Sequence, residues 1–309
     1  PEPPMLVMTS GNIHDEPIVT DDAEARGKLG GIACAVLGND RAILSRYDDS
    51  VVRIISAGSA GAAVQVIRRA RGFAPVPLKL AQTSTNPEAA AALEDAAASE
   101  ATGAAGHEGS PETAGHKAAG SVPVLFAAGS EQKSTFAFVR GSEAFVSQHV
   151  GDLENAEAFD AWLDAKSRFE KLFELRATRL ACDAHPEYLA SKWAREQAQR
   201  NNLPLTEVQH HHAHIASVLG ENGLFGPVCG IAFDGTGYGA DGRVWGGEVL
   251  LANQQAYERF ANFAYVPMPG GAAAVRNPLR MAYGVLYEFD LLEHPGAADA
   301  LLALGDQAE

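Results

Sequence analysis

AFDGTGYGADGRVWGGE, residues 232–248, carries the densest chemical signal in the chain. The apolar run VCGIAF reads as a strand that delivers Asp234 at its end. Gly235, Gly237 and Gly239 follow, and without a Cβ each lets backbone amides approach an anion closely. A carboxylate at a strand end beside a Gly-rich turn is what a metal–nucleotide site needs: the Asp offers a hard oxygen ligand and the turn faces phosphate. Gly235, Thr236, Gly237 and Gly239 are the candidate phosphate-facing positions, and Tyr238 is placed to stack or hydrogen-bond. The other reading is a plain hairpin turn. RVWGGEVLL, downstream, reads as one further strand.

Twenty residues upstream, VQHHHAHIASV (208–218) puts four histidines in five positions. LTEVQ reads as a strand, and HHHAHIASVLGEN has helical spacing with Ile215, Val218 and Leu219 on one side. On a helix, positions i and i+4 share a face, so His210 and His214 project together with the spacing by which two imidazoles grip one divalent cation. His211 with His214 is the i,i+3 alternative, and His212 points elsewhere. The bland reading is a polar helix start with solvent-facing histidines. There is no HExxH glutamate, which argues against a metalloprotease.

A second turn repeats the logic. In AAGSEQKSTFAFV (127–139), Gly129 ends a strand, Lys133 with Ser130, Ser134 and Thr135 fills the turn, and a strand returns. Lys133 is a candidate phosphate-binding and catalytic cation, against the reading of a solvated turn lysine. Two phosphate-facing strand turns in one α/β segment point to an actin-like ATPase fold. Around them the pattern predicts a strand at VPVLFAAG, its partner at TFAFVR, a third at EAFVSQHV and a helix near 155–174. A strand at TRLACD and a helix over PEYLASKWAREQAQR, with Pro186 near its first turn, come next. Hairpins followed by alternating helices and strands indicate an α/β fold with a mixed sheet.

Residues 1–80 form a separate zone. Short apolar runs (MLVMT, CAVLG, SVVRII, AVQVI) alternate with turn signals, and DDAEARGKL, 21–29, opens with Asp residues able to cap a helix. TSGN, with Ser10 and Asn12, follows an apolar run and offers small polar donors to phosphate or carboxylate. Ser50 in DDSVVR and Arg68, Arg69 and Arg71 in RRARG add a hydroxyl and guanidiniums suited to anions. A solvated basic turn is the alternative for RRARG. Residues 81–121 are Ala-rich and low in large apolar side chains, so they cannot bury enough surface to offset ordering entropy. This zone reads as a linker or insertion, with residues 122–309 as a second domain.

Composition sets limits. The 309 residues, 46% hydrophobic and 20% charged, suffice for about two globular domains. A net charge of −15 argues against nucleic acid or anionic membrane as partner. Cys34, Cys182 and Cys229 lie far apart in apolar, strand-like runs and form no CxxC pair, which points to the cytoplasm. No signal peptide or 18-residue apolar run is present. The chain opens without Met and ends at LLALGDQAE with no closing element, so a piece of a longer protein is expected, with part of a site outside it.

MTSGNIHDEPIVTDDAEA, DDSVVR and RRARGFAP resemble the C-terminal half of a YrdC-like domain. GSEQKSTF, SQHVGDLEN, CDAHPEYLASKWA, VQHHHAHIASV, AFDGTGYGADGRVWGGE and VPMPGG, in that order, resemble the actin-like domain of the HypF carbamoyltransferases of hydrogenase maturation. The resemblance covers nearly the whole chain except 81–121. Ser134 stands where Asn is expected, and Leu279 where Trp is expected.

The resemblance implies a YrdC-like domain that uses ATP, with Mg, and carbamate from carbamoyl phosphate to make carbamoyl-adenylate. It implies an actin-like domain that holds a divalent metal, zinc or iron, and passes the carbamoyl group to the C-terminal cysteine of HypE. By motif match, His210, His214 and Asp234 fall on metal-ligand positions, and Ser10 and Asn12 on the nucleotide-contacting SxN element. A further Asp ligand is expected beyond Glu309. The nucleophile is the partner's thiolate, so this chain need supply none. The alternatives are an antibiotic-type O-carbamoyltransferase, which shares both domain types, and a truncated metal- and nucleotide-binding module without turnover.

Overall fold

A computed structural model of the chain describes residues 9–13, 16–56, 61–81, 122–235 and 237–305. MLVM, most of the low-complexity zone 81–121 and Thr236 fall outside them.

In the first zone, helix α1 (Asp22–Leu29) begins where the Asp21 carboxylate accepts the Ala23 and Glu24 amides. Strands β1 (Val51–Ser56) and β2 (Ala62–Arg68) pair antiparallel, as the alternating runs predict. CAVLG forms no strand, and Cys34 is exposed on irregular chain. Its apolar residues have no strand to pair with, so the short apolar run lacks the cross-strand contacts that hold a strand.

The main layer is a six-stranded sheet in the order β3-β6-β5-β4-β7-β8. Its strands are β3 (Leu78–Lys79), β4 (Val124–Ala127), β5 (Ala137–Arg140), β6 (Glu143–Val146), β7 (Arg179–Asp183) and β8 (Leu205–Val208). The β3-β6-β5-β4 half is antiparallel, while β4, β7 and β8 run parallel, giving the mixed sheet. The parallel pairs need crossovers, and helices α2 (Ala156–Phe173) and α3 (Leu189–Asn201) supply them.

Both helices are read from their buried faces. On α2, Ala158, Trp162, Ala165 and Phe169 recur at helical spacing and pack on Phe126, Phe136 and Phe138 of the sheet and its turn. On α3, Ala190, Ala194 and Ala198 form a stripe of small residues at i,i+4 that lies close against β7 and β8. The helix begins at Leu189, later than PEYLASK reads, and Pro186 stays outside it. Tyr188, its N-cap, makes no side-chain cap, and the Glu131 carboxylate from the distant turn accepts the Leu189 amide instead. No local spacing signals a cap contributed from 58 residues away.

Helix α4 (His210–Asn222) leaves β8 directly, its Gln209 side chain accepting the His212 amide. It packs Ile215 and Leu219 on a second, antiparallel sheet of β13 (Tyr257–Asn262), β12 (Glu248–Ala252) and β9 (Val228–Ala232). RVWGGEVLL is two strands. β11 (Val244–Trp245) pairs with β10 (Gly237–Tyr238), and Gly246–Gly247 separate it from β12. The break fits Gly247, whose missing side chain leaves room for the Phe263 ring, 2.5 Å from where a Cβ would lie. Helices α5 (Ala272–Arg276), α6 (Pro278–Glu288) and α7 (Pro295–Gly305) follow. No helix among the described residues is long and apolar enough to cross a membrane.

Candidate metal centre and anion cavity

Parallel strands bring their C-terminal ends to one edge, where α/β sheets bind ligands. Here β4 ends at the Gly129 turn, β7 at Asp183 and β8 at the start of α4. The second sheet sends Asp234 to the same place from the end of β9.

His210 and His214 lie one turn apart with their Nε2 atoms 3.2 Å from each other. Asp234 Oδ2 is 2.6 Å from His210 Nε2 and 3.3 Å from His214 Nε2. Three ligand atoms, one from each side chain, lie within 4.8 Å of one another. Two imidazoles and a carboxylate suit zinc or a non-haem iron, and the exposed His214 leaves one side of the cluster open to further ligands. The i,i+4 pair is thus the one brought together with Asp234, and His211 is not part of the cluster. His211 is fully buried, its Nε2 is 3.2 Å from the Asp234 carbonyl oxygen, and His212 Nε2 is 2.8 Å from that of Asn253. Neither is a surface histidine.

The Asp183 carboxylate, buried at the end of β7, is 2.6 Å from His210 Nδ1. This hydrogen bond raises the His210 pKa above its ordinary value, with burial opposing and Asp234 adding. Burial pushes that of His211 down. Beside them the His185 ring stacks on Tyr188 at 3.9 Å between centroids and meets Tyr238 edge-on. Asp183 was the residue to miss in the sequence. It lies in CDAHP with no spacing relation to the histidines, and only its place at a parallel strand end signals it.

The Gly-rich turn does two jobs. β10 and β11 close it as a hairpin, with the Gly239 amide donating to the Arg243 carbonyl. Gly237 and Gly239 make room for side chains: a Cβ at 237 would lie 2.1 Å from His211 Cε1, and one at 239 would lie 2.3 Å from Trp245 Nε1. These two positions thus seat the site's neighbours, whereas Gly235 is open.

A separate cavity of about 510 Å³ lies between the first zone and the sheet. Ser10, Asn12, Arg68 and Lys133 line it together, with Gln148 and Asp152. The loop 147–153 zips along the Lys133 turn. Asp152 accepts the Lys133 amide, Ser134 donates to the Gly151 carbonyl, and Val150 donates back to that of Ser134. Lys133 itself sits at φ 48°, in the left-handed region. The structure does not bring Ser50, Arg69 or Arg71 to this cavity. Ser50 Oγ bridges the Ala70 amide and the Arg71 carbonyl, Arg69 donates to the Phe73 and Val76 carbonyls, and Arg71 faces Asp49. Several of their donors go to the RRARG turn itself, a use that composition cannot distinguish from anion binding. Gly129 does not line the cavity either; its φ of +78° makes the turn that presents Lys133.

An α/β chain with a His–His–Asp cluster at its strand ends, and a separate cavity lined by both basic and acidic side chains, has the candidate elements of a metal- and nucleotide-site protein. Comparison with known proteins narrows that class. The family model described as HypF Kae1-like domain matches residues 120–221, and that of the second subdomain of the carbamoyltransferase Kae1-like domain matches 230–307. The Sua5/YciO/YrdC model, described as telomere recombination, matches 2–70. Carbamoyltransferase HypF2 of Cupriavidus necator is 40% identical over 93% of this chain and 31% of its own length. Carbamoyltransferase HypF of Rhizobium leguminosarum bv. viciae is 35% identical over 91% and 31%. A crystal structure of full-length HypF in a phosphate- and nucleotide-bound form superposes with a TM-score of 0.72 at 34% identity, covering 97% of this chain and 41% of that one. T. kodakarensis HypF gives 0.68 at 33%, over 91% and 31%. The chain belongs to the HypF carbamoyltransferase family. It spans about a third of the length of the curated relatives it matches.

Proposed function

We propose that the protein is an ATP-dependent carbamoyltransferase of nickel–iron hydrogenase maturation, acting in the cytoplasm on the C-terminal cysteine of HypE. The observation that carries this reading is the His210–His214–Asp234 cluster, in a chain whose relatives are named carbamoyltransferases. The HypF names of those relatives favour it over the antibiotic O-carbamoyltransferase alternative. Two domains and a linker are part of the reading: a YrdC-like part over 1–80, a linker or insertion over 81–121 and an actin-like domain over 122–309.

In this reading Ser10, Asn12, Arg68 and Lys133 hold the phosphates and ribose of ATP in their shared cavity. The nucleotide-bound relative supports a nucleotide here. Hydrolysis of carbamoyl phosphate gives carbamate and inorganic phosphate; a carbamate oxygen attacks the α-phosphate of ATP, and pyrophosphate leaves. Adenylation thus makes AMP the leaving group of the next step. His210, His214 and Asp234 hold the divalent metal, which when bound supplies Lewis-acid polarisation of the carbamoyl carbonyl. The HypE thiolate then attacks the carbonyl carbon, the C–O bond to AMP breaks, and a thiocarbamate forms. Lys133 neutralises charge on the departing phosphate.

The test is incubation of the full-length protein with ATP, carbamoyl phosphate and a HypE C-terminal peptide. Pyrophosphate release and a mass increase on the peptide cysteine are expected. Neither product appearing would overturn the reading.

A further inference from the structure

We infer that Asp183 is a positioning residue that sets the tautomer and aim of His210 for the metal. The inference rests on the metal reading above.

An imidazole can ligate a metal through one nitrogen only if that nitrogen carries no proton. The other nitrogen must then hold the proton, and its hydrogen-bond partner decides whether it does. His210 presents Nε2 to Asp234 and His214, so its proton belongs on Nδ1. Asp183 Oδ2 sits 2.6 Å from that Nδ1. The carboxylate oxygen accepts from Nδ1, which places the proton there and turns Nε2 to the cluster.

The carboxylate is itself held. Its other oxygen accepts the His185 amide at 2.8 Å, and the Asp183 carbonyl accepts from Ser191 Oγ at 2.8 Å. The side chain is 7% exposed, against 55% for His214. Among the described residues His214 has no such partner: its Nε2 meets His210 and Asp234, and its orientation depends on them. The two imidazoles are thus unequal. His210 is preset by the end of β7, and His214 closes on the ion from the exposed side.

Asp183→Asn is the informative variant. It keeps the size and the acceptor for the His185 amide, but then turns an NH2 donor towards His210 Nδ1. The proton is driven to Nε2, where the metal must bind.

Full-length wild type, D183N, D183A and the H210A/H214A double variant are stripped of metal and titrated with Co²⁺, following affinity and visible absorption. Wild type is expected to bind one Co²⁺ that the double variant does not. D183N and D183A are expected to bind it roughly 10- to 100-fold more weakly, with a changed absorption band. The melting temperature of metal-free D183N should stay close to that of wild type, which a merely structural role would not predict. Should D183A fail to fold, D183N decides. Wild-type affinity and spectrum in D183N overturn the inference and leave the metal reading standing. A wild type that binds no Co²⁺ through His210 and His214 overturns both.

Discussion

His149 Nδ1 lies 3.2 Å from Asp48 Oδ2, joining chain positions 101 residues apart. Arg68 approaches the same carboxylate at 3.5 Å, and the His149 amide donates to the Arg69 carbonyl. The loop beside Lys133 is thereby docked on the β1–β2 zone, and the cavity lined by Arg68 and Lys133 lies along that seam.

Burial, then the positive charge of Arg68, hold the His149 pKa below its ordinary value, although Asp48 pulls the other way. The unfolded chain, with a histidine pKa of about 6.5, takes up a proton more readily than the folded one. The contribution of neutral His149 is therefore intact above that value and is lost as pH falls through it towards the folded pKa. Thermal unfolding between pH 7.5 and 5.5 should show a shallower acid decline for His149→Gln than for wild type. Equal slopes would remove His149 from the account.

Gly237→Ala should damage the metal centre without touching a ligand. Its Cβ would fall 2.1 Å from His211 Cε1, and His211 supports the Asp234 carbonyl. Overpacking of this kind costs about 1–3 kcal/mol. A lower midpoint in urea together with weaker Co²⁺ binding is expected, and unchanged binding would show that His211 can yield without moving Asp234.

Gly129→Ala should be worse tolerated for its size. Backbone at φ +78° costs an L-residue about 1–3 kcal/mol, and the Cβ would meet the Thr135 carbonyl oxygen at 2.0 Å. That neighbour is backbone and has no rotamer to change. Denaturant titration should give a loss at or above this range, and nucleotide affinity should fall with the displaced Lys133.

Lys133→Met separates the two halves of the proposed site. Lys133 lines the anion cavity and is no part of the His–His–Asp cluster. ATP affinity should drop by at least tenfold while Co²⁺ stoichiometry stays at the wild-type value, as calorimetry and elemental analysis would report. Loss of both would mean that the cavity and the cluster are one site.

Much of this was readable locally. The α2 face was carried by Trp162 and Phe169, the i,i+4 histidines by α4, and the strand before Asp234 by VCGIAF, because helical and strand periods are printed in the order of residues. Other local signals did not fix placement. CAVLG had strand composition and found no partner strand, and RRARG divides in the fold, with Arg68 on the cavity wall and Arg69 turned to the carbonyl oxygens of Phe73 and Val76.

The sequence by itself determined which residues are candidates for the chemistry: a pair of imidazoles one helical turn apart, an Asp at a strand end, and a lysine in a Gly-led turn. Only the tertiary structure decided how they are used. Hydrogen bonds fall off within about 3 Å whatever the separation along the chain. Asp183 reaches His210 across 27 residues, and Asp48 reaches His149 across 101, because parallel strand ends and a docked loop put them there. Periodicity specifies faces and carries no record of which faces will meet.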